Sequence, residues 1–197
     1  MIDHLTELGV PPNVQVFFAL EEPVFNYGDD SEYFTPSTHF VPATKNLWMA
    51  GDLLAKQVII TYSAMEAVAF LTLNQSEYQN LNDLLFLAIG VRTSSGQLNW
   101  IRSNLRRREI TLVFGSDLIG RLTDIKIATA IRNKQIRLNF QNGGVIAWLK
   151  EKAISFEEDK LSLSAFEKAF GIRTKIRTCK PLKHFTFLDQ LKYDTPR

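Results

Sequence analysis

Residues 58–71 constrain the fold of this chain more than any other stretch. Val58, Ile59, Ile60 and Thr61 form a short β-branched apolar run, the composition of a buried strand. Ser63 and Glu66 follow three residues apart, just ahead of a second apolar run. That is the pattern of a capping box, in which the Ser63 hydroxyl accepts from the Glu66 N–H and the Glu66 carboxylate reaches back to the Ser63 N–H. The strand is therefore expected to end near Tyr62 and a helix to begin at Ala64. This helix is apolar almost all round, so it is buried. A buried strand entering a buried helix is the first half of a βαβ unit. In open α/β sheets ligands meet the carboxyl ends of the strands, so chemistry is expected at Tyr62 and Ser63.

The same rhythm continues downstream. Residues 84–90 read as a second buried strand, 97–107 as a helix with Leu98, Ile101 and Leu105 on one face, and 110–114 as a third strand. A long helix is expected over 118–134, with Leu118, Leu122, Ile125 and Thr129 inward and Arg121, Asp124, Lys126 and Arg132 outward. Residues 136–140 alternate cleanly, which predicts a fourth strand nearer an edge. Strands alternating with helices argue for a mainly parallel sheet of about four to five strands with helices on both faces. Residues 141–171 interrupt the pattern as an insertion. Gly143 and Gly144 make a turn, and 145–152 is ambiguous between helix and strand. Ser164 and Glu167 look like another capping box, opening a short helix that Gly171 ends. Residues 172–178 alternate as a last strand with one basic face, and 185–191 read as a closing helix.

Residues 1–50 differ in texture. A strand is expected over 14–20. After it, Pro23, Gly28, Pro36 and Pro42 disfavour long helices. The segment reads as a β-rich extension packed on a main domain of residues 51–197, with a short strand over 46–50 leading in. Asp29, Asp30 and Glu32 read as a solvated acidic turn, since a calcium loop needs a fuller set of oxygen ligands.

At 197 residues, with 45% apolar and 22% charged residues, the chain suits one soluble domain. A net charge of +2 is too weak by itself to argue for nucleic acid. The single cysteine, Cys179, excludes an internal disulfide and a cysteine-rich zinc site. The first residues lack the layout of a signal peptide and no run of about 18 apolar residues occurs, so a cytoplasmic protein is the default expectation.

Two stretches together carry a family resemblance. Tyr62, Ser63, Ala64, Met65, Glu66, Ala67 and Val68 resemble the strand-to-helix signature of Toprim domains. That signature reads Glu, a small residue, two variable residues, Asp, Ala and an aliphatic residue, and the nearest variant reads Glu-Ser-Ala-Ile-Asp-Ala-Leu in primase-like proteins of plasmids and mobile elements. Phe114, Gly115, Ser116, Asp117, Leu118, Ile119, Gly120 and Arg121 resemble the second signature, Asp-x-Asp-x-x-Gly-Arg. Lys183, His184, Phe185 and Thr186 echo the Lys-Asp-Trp-Asn that precedes a final helix in primase-like members. The resemblance spans about 45–140 and, loosely, 172–192. It implies a Toprim-like, Rossmann-like fold.

The departures from these signatures bear on function. In the family the first Glu is a general acid/base and the two Asp residues hold Mg²⁺. Here those positions are Tyr62, Gly115 and Asp117, which do not form an acidic site. Magnesium needs several hard oxygen ligands, and tyrosine is a poor base near neutral pH. The expectation is a catalytically degenerate member with no catalytic residues, no cofactor and no bound metal unless at Asp117. Its partner is expected to be single-stranded DNA or a replication or mobilisation protein of a mobile element, with no membrane. Binding candidates are Ser63, Glu66, Asp117, Arg121 and Lys183. Nucleic-acid candidates are Arg106, Arg107 and Arg108 at a helix end, and Arg173, Lys175 and Arg177 on the last strand. One rival is an active Mg²⁺-dependent primase or nuclease using Glu66, Asp117 and Asp124. Helical spacing puts Asp124 roughly 10 Å from Asp117, too far to share one ion. The other rival is a purely structural assembly protein.

Overall fold

Pro12 decides how the described part of the chain begins. The computed structural model describes residues 4–194; residues 1–3 of the expected extension and 195–197 of the expected main domain lie outside the described residues. Two short helices come first, α1 (His4–Glu7) and α2 (Pro12–Phe17). The strand expected over 14–20 is therefore not formed. Pro12 stands in the first helical turn, where its missing N–H costs nothing. Val14 and Phe18, four residues apart, are both buried on the inner side of that turn.

Strands β1 (Val24–Asn26), β2 (Ser31–Phe34) and β3 (His39–Phe40) form a small antiparallel sheet. Its inward side chains, Phe25, Tyr27 and Phe34, join the core next to Trp48 of β4 (Trp48–Gly51). Then come β5 (Gln57–Thr61), α3 (Ala64–Leu73), β6 (Leu84–Ala88), α4 (Ser95–Leu105), β7 (Glu109–Val113) and α5 (Leu118–Ile131). The rest is β8 (Ile136–Gln141), β9 (Gly144–Leu149), β10 (Lys152–Glu157), α6 (Leu163–Phe170), β11 (Arg177–Thr178) and α7 (Phe187–Asp194).

The largest sheet runs β11-β7-β5-β6-β4, with β4 antiparallel to β6 and the other neighbours parallel. Alternation sorts its side chains into two cores. Ile59, Leu84 and Phe86 belong to the cluster that includes α3 and α7, whereas Val58, Ile60, Leu85 and Leu87 belong to the cluster that includes α4, α5 and α6.

A single, mainly parallel Rossmann-like sheet flanked by helices is not what the chain builds. The described residues form three separate sheets, two of them wholly antiparallel and the third mixed, and five of their eight strand pairings are antiparallel. The expected fourth strand, β8, leaves the large sheet for an antiparallel meander, β10-β9-β8. Asn142 and Gly143 both adopt positive φ (53° and 74°), so β8 and β9 are joined by a two-residue hairpin. A parallel crossover needs a dozen or more residues, and the next turn, with Lys150 at φ 56°, is equally short. The expected last strand over 172–178 shrinks to Arg177–Thr178. Lys175 has φ 58°, which no strand accommodates, and the Thr174 N–H and hydroxyl both bond to Glu167. Glu167 thus does not close a capping box with Ser164; the N-cap of α6 is Ser162, whose hydroxyl accepts from the Ala165 N–H.

Candidate functional site

The turn after β5 is held by a set of buried polar contacts. Ser63 caps α3 by accepting from the Glu66 N–H at 3.1 Å, but the second half of the expected capping box does not close. The Glu66 carboxylate instead accepts from the N–H groups of Phe187 (3.1 Å) and Leu188 (2.9 Å), the opening of α7. The N–H groups that start α3 are taken by Glu32: Ala64 donates at 2.7 Å and Met65 at 2.9 Å. Glu32 also accepts from the Tyr27 hydroxyl at 2.7 Å and lies 3.0 Å from His39 Nε2. It is 0% exposed. Two carboxyl groups therefore link three segments, β2 to α3 and α3 to α7, each accepting from the N–H groups of a helix start. Glu32 is the residue that sequence reading missed. The available signal is its place on β2, two residues before buried Phe34 and between the less buried Ser31 and Tyr33.

Burial raises the Glu66 carboxyl to about 7, even though the Leu188 and Phe187 N–H groups and the Thr186 hydroxyl oppose the shift. Burial, reinforced by Glu66 and Glu32 nearby, also holds the Tyr62 phenol well above its ordinary range. Tyr62 therefore stays protonated near neutral pH.

At the end of β7, Asp117 caps α5, with its Oδ1 accepting from the Gly120 N–H at 2.8 Å. The loop before α7 lies across this turn: the Ser116 N–H donates to Phe185 O at 2.9 Å and its hydroxyl to His184 O at 3.3 Å. A Cβ on Gly115 would come within 2.9 Å of Asp117 Oδ1 and 3.1 Å of Phe185 O. A side chain at position 115 therefore requires the Asp117 carboxylate to move off its cap and the loop carbonyl to give way. The structure brings Tyr62, Gly115, Asp117 and Thr186 together around one cavity of about 480 Å³, with Arg92 and Lys126 also on its wall. The Mg²⁺ site implied by the family resemblance does not fit these residues. One position has no side chain, one holds a protonated phenol, and the remaining carboxylate is engaged by its own helix. Among the described residues, no three His, Cys, Asp or Glu side chains gather in a way that could hold a metal ion.

The other binding candidates are dispersed. Ser63 is buried. Arg121 donates to the carbonyls of Asp117 (3.3 Å) and Asp159 (3.1 Å). Lys183 stands 3.8 Å from Asp194 in a neighbouring surface groove. Asp124, expected to be exposed, is buried, and its Oδ2 lies 2.5 Å from Lys180 Nζ, which also donates to the carbonyls of Phe114 and Gly115. Burial pushes the Asp124 carboxyl up to about 6 against the pull of Lys180. Glu66, Asp117 and Asp124 thus face three different partners rather than one ion.

The basic residues collect at the opposite end of the large sheet. Arg106, Arg107 and Arg108 precede β7, where Arg108 donates to Ala55 O at 2.8 Å. Arg173, Lys175 and Arg177 are exposed on the approach to β11. Arg132 joins the two runs by donating to Arg106 O at 2.9 Å and Thr174 O at 2.5 Å. Beside them opens a groove of about 1200 Å³ that sequence reading did not find. Arg132, Lys134, Arg137, Lys150 and Lys152 line it, against the single acid Glu151. The Arg137 guanidinium lies 4.4 Å from the Trp148 ring centre and Lys152 Nζ 5.6 Å from that of Phe170. These cations are spread over twenty residues of sequence and meet only because β8 pairs with β9 in the register that sets Arg137 opposite Trp148.

No protein family, curated protein or solved structure matches this chain. Among the described residues no helix is long and apolar enough to cross a membrane.

Proposed function

We propose that this chain is a nucleic-acid-binding protein, related to Toprim proteins by its motifs, whose acidic centre has been replaced by helix caps and an internal ion pair. The observation that carries this reading is the groove between β8, β9 and α6, where five cations face one acid and two aromatic rings are at hand. Lys and Arg that neutralise phosphates release counterions, and aromatic faces take unstacked bases. The setting in replication or transfer of a mobile element, and a protein partner there, rest on the motif resemblance alone. The rival reading as a Mg²⁺-dependent enzyme is disfavoured because its three acids do not converge.

The test is binding of fluorescein-labelled oligothymidylate, followed by anisotropy across a salt series with and without Mg²⁺. Affinity should fall steeply with salt, with a log–log slope of about −0.7 per phosphate neutralised, and Mg²⁺ should act only through ionic strength. Absence of binding at low salt would refute the proposal. So would Mg²⁺-dependent cleavage that disappears in Asp117→Ala.

A further inference from the structure

Three surface depressions share residues. Lys126 lines both the cavity at the strand ends and a second groove of about 450 Å³ between α4 and α5. That second groove shares Asn133, Lys134, Gln135 and Ile136 with the basic groove. Ile119, Leu122, Lys126 and Ala130, at three- and four-residue spacing on α5, line the first two depressions, and residues 133–136, in the turn after α5 and the start of β8, line the second and the third. The three depressions therefore adjoin in series as a trough along α5 and the turn after it, on the order of 25 Å from Asp117 to Lys134 at ~1.5 Å per residue.

We infer that this trough is the path of a single nucleic-acid strand, which runs from the basic groove over Lys126 into the strand-end cavity. The inference rests on the nucleic-acid-binding reading above and adds to it a route and a strandedness. Charge supports the route. From one end to the other the wall carries Arg92, Lys126 and Arg102 before the five-cation groove, with Asp117 and Glu151 as its acids. Shape supports a single strand. Packing of α4 against α5 closes one wall, and the β8 hairpin, which follows α5 after a short turn, closes the other. Half-buried Trp148 and Phe170 stand in the groove wall with Arg137 and Lys152 over their rings, and a base can join such a stack only after leaving a duplex. The cavity at the far end has an apolar floor of Ile89, Phe114, Leu122 and Leu138 beneath Arg92 and Lys126, which suits a base below and phosphates above. At a stacked rise of ~3.4 Å per nucleotide the trough holds about seven.

Lys126 is the discriminating residue, because it is exposed, does not line the basic groove and sits where the strand must cross. Oligothymidylates of about 4 and about 12 nucleotides span the range of single-strand footprints. The experiment measures their affinities for the full chain, for Lys126→Glu and for Arg137→Glu, with thermal melting as the control for folding. Lys126→Glu should weaken the longer oligonucleotide about tenfold and leave the shorter one unchanged, because one phosphate attraction becomes a repulsion. Arg137→Glu should weaken both, and a duplex of the longer length should bind less tightly than the single strand. If Arg137→Glu weakens binding but Lys126→Glu leaves the longer oligonucleotide unaffected, or weakens both lengths equally, the trough is refuted and the basic groove stands. A duplex that binds as tightly as the single strand refutes the strandedness. Should neither oligonucleotide bind at low salt, the nucleic-acid reading itself falls. If Lys126→Glu melts early, Lys126→Ala replaces it, with a smaller loss in the same length-dependent pattern.

Discussion

Replacing Glu32 with Gln tests whether a buried carboxylate holds the start of α3. Both oxygens are in use: Oε2 accepts from the Tyr27 hydroxyl and the Ala64 N–H, and Oε1 faces His39 Nε2 and the Met65 N–H. A glutamine keeps one oxygen and turns an NH₂ toward either the Ala64 or the Met65 N–H, while the Tyr27 hydroxyl and the His39 ring can each accept from it. Each lost hydrogen bond to a charged group costs roughly 1.5–3 kcal/mol, because the orphaned donor stays dry. The expected loss is therefore about 1.5–3 kcal/mol for the one orphaned N–H, a sizeable part of the ~5–15 kcal/mol that holds a domain together. For a chain of this size that corresponds to a fall of several degrees in melting temperature. Tyr27→Phe removes one donor and leaves the carboxylate with three, so it should cost less, about 1–2 kcal/mol. Urea unfolding followed by far-ultraviolet circular dichroism measures both. A Glu32→Gln loss below about 1 kcal/mol, or one no larger than that of Tyr27→Phe, would show that the four contacts do not act as a unit and that α3 does not depend on β2 for its cap.

Three further outcomes follow from the same site. The native chain keeps a proton on Glu66 that the unfolded chain releases above about 4.5, so stability should fall as pH rises from there to about 7 and level off above it. The drop is on the order of 3 kcal/mol, and Glu66→Gln should remove it from a series of urea midpoints; an unchanged pH profile would refute the assignment. Gly115→Asp introduces the acid that the Toprim signature carries at this point, yet it should destabilise the chain and gain no Mg²⁺ by calorimetry, since its Cβ meets Asp117 Oδ1 and Phe185 O; sub-millimolar Mg²⁺ binding would overturn the account of that turn. Trp148→Ala should weaken single-strand binding by about 1–3 kcal/mol, the usual worth of one base stacked on an aromatic ring, and anisotropy at fixed salt would show no change if Trp148 only packs beneath Arg137.

The parts of the fold legible in sequence are those fixed by local chemistry. β5, β6 and β7 announce themselves as short apolar runs, and α3 and α5 by residues that do cap them, Ser63 and Asp117. The errors fall where local pattern is degenerate. Clean alternation over 136–140 describes a half-exposed strand in any sheet, and only the positive φ at Asn142 and Gly143 sends β8 into a hairpin. Ser-x-x-Glu spacing identified the right hydroxyl at 63 and misassigned the carboxylate at 66, because its partner N–H groups lie more than a hundred residues away. Glu32 was read as solvated for the same reason: its burial is decided by a helix start thirty-two residues further on.

That non-local placement of acids explains why the two ends of the large sheet differ. A carboxylate can serve a metal ion or a helix start, and at each of these positions the helix start or an internal cation has it: Glu32 at α3, Glu66 at α7, Asp117 at α5, Asp124 at Lys180. The side chains that would have to be freed to build an acidic centre are the ones that tie α3, α5 and α7 to the sheet. Introducing one Asp therefore costs stability before it gains a ligand. At the other end only some of the cations carry such a duty: Arg108, Arg132 and Lys152 donate to backbone carbonyls. Lys134, Arg137 and Lys150 can exchange water for phosphate without loosening the core, whereas Arg132, whose guanidinium ties residues 106 and 174 together, cannot. Charge reversal at Arg137 should accordingly change affinity and spare stability, and charge reversal at Arg132 should do both, a contrast that paired anisotropy and melting curves resolve.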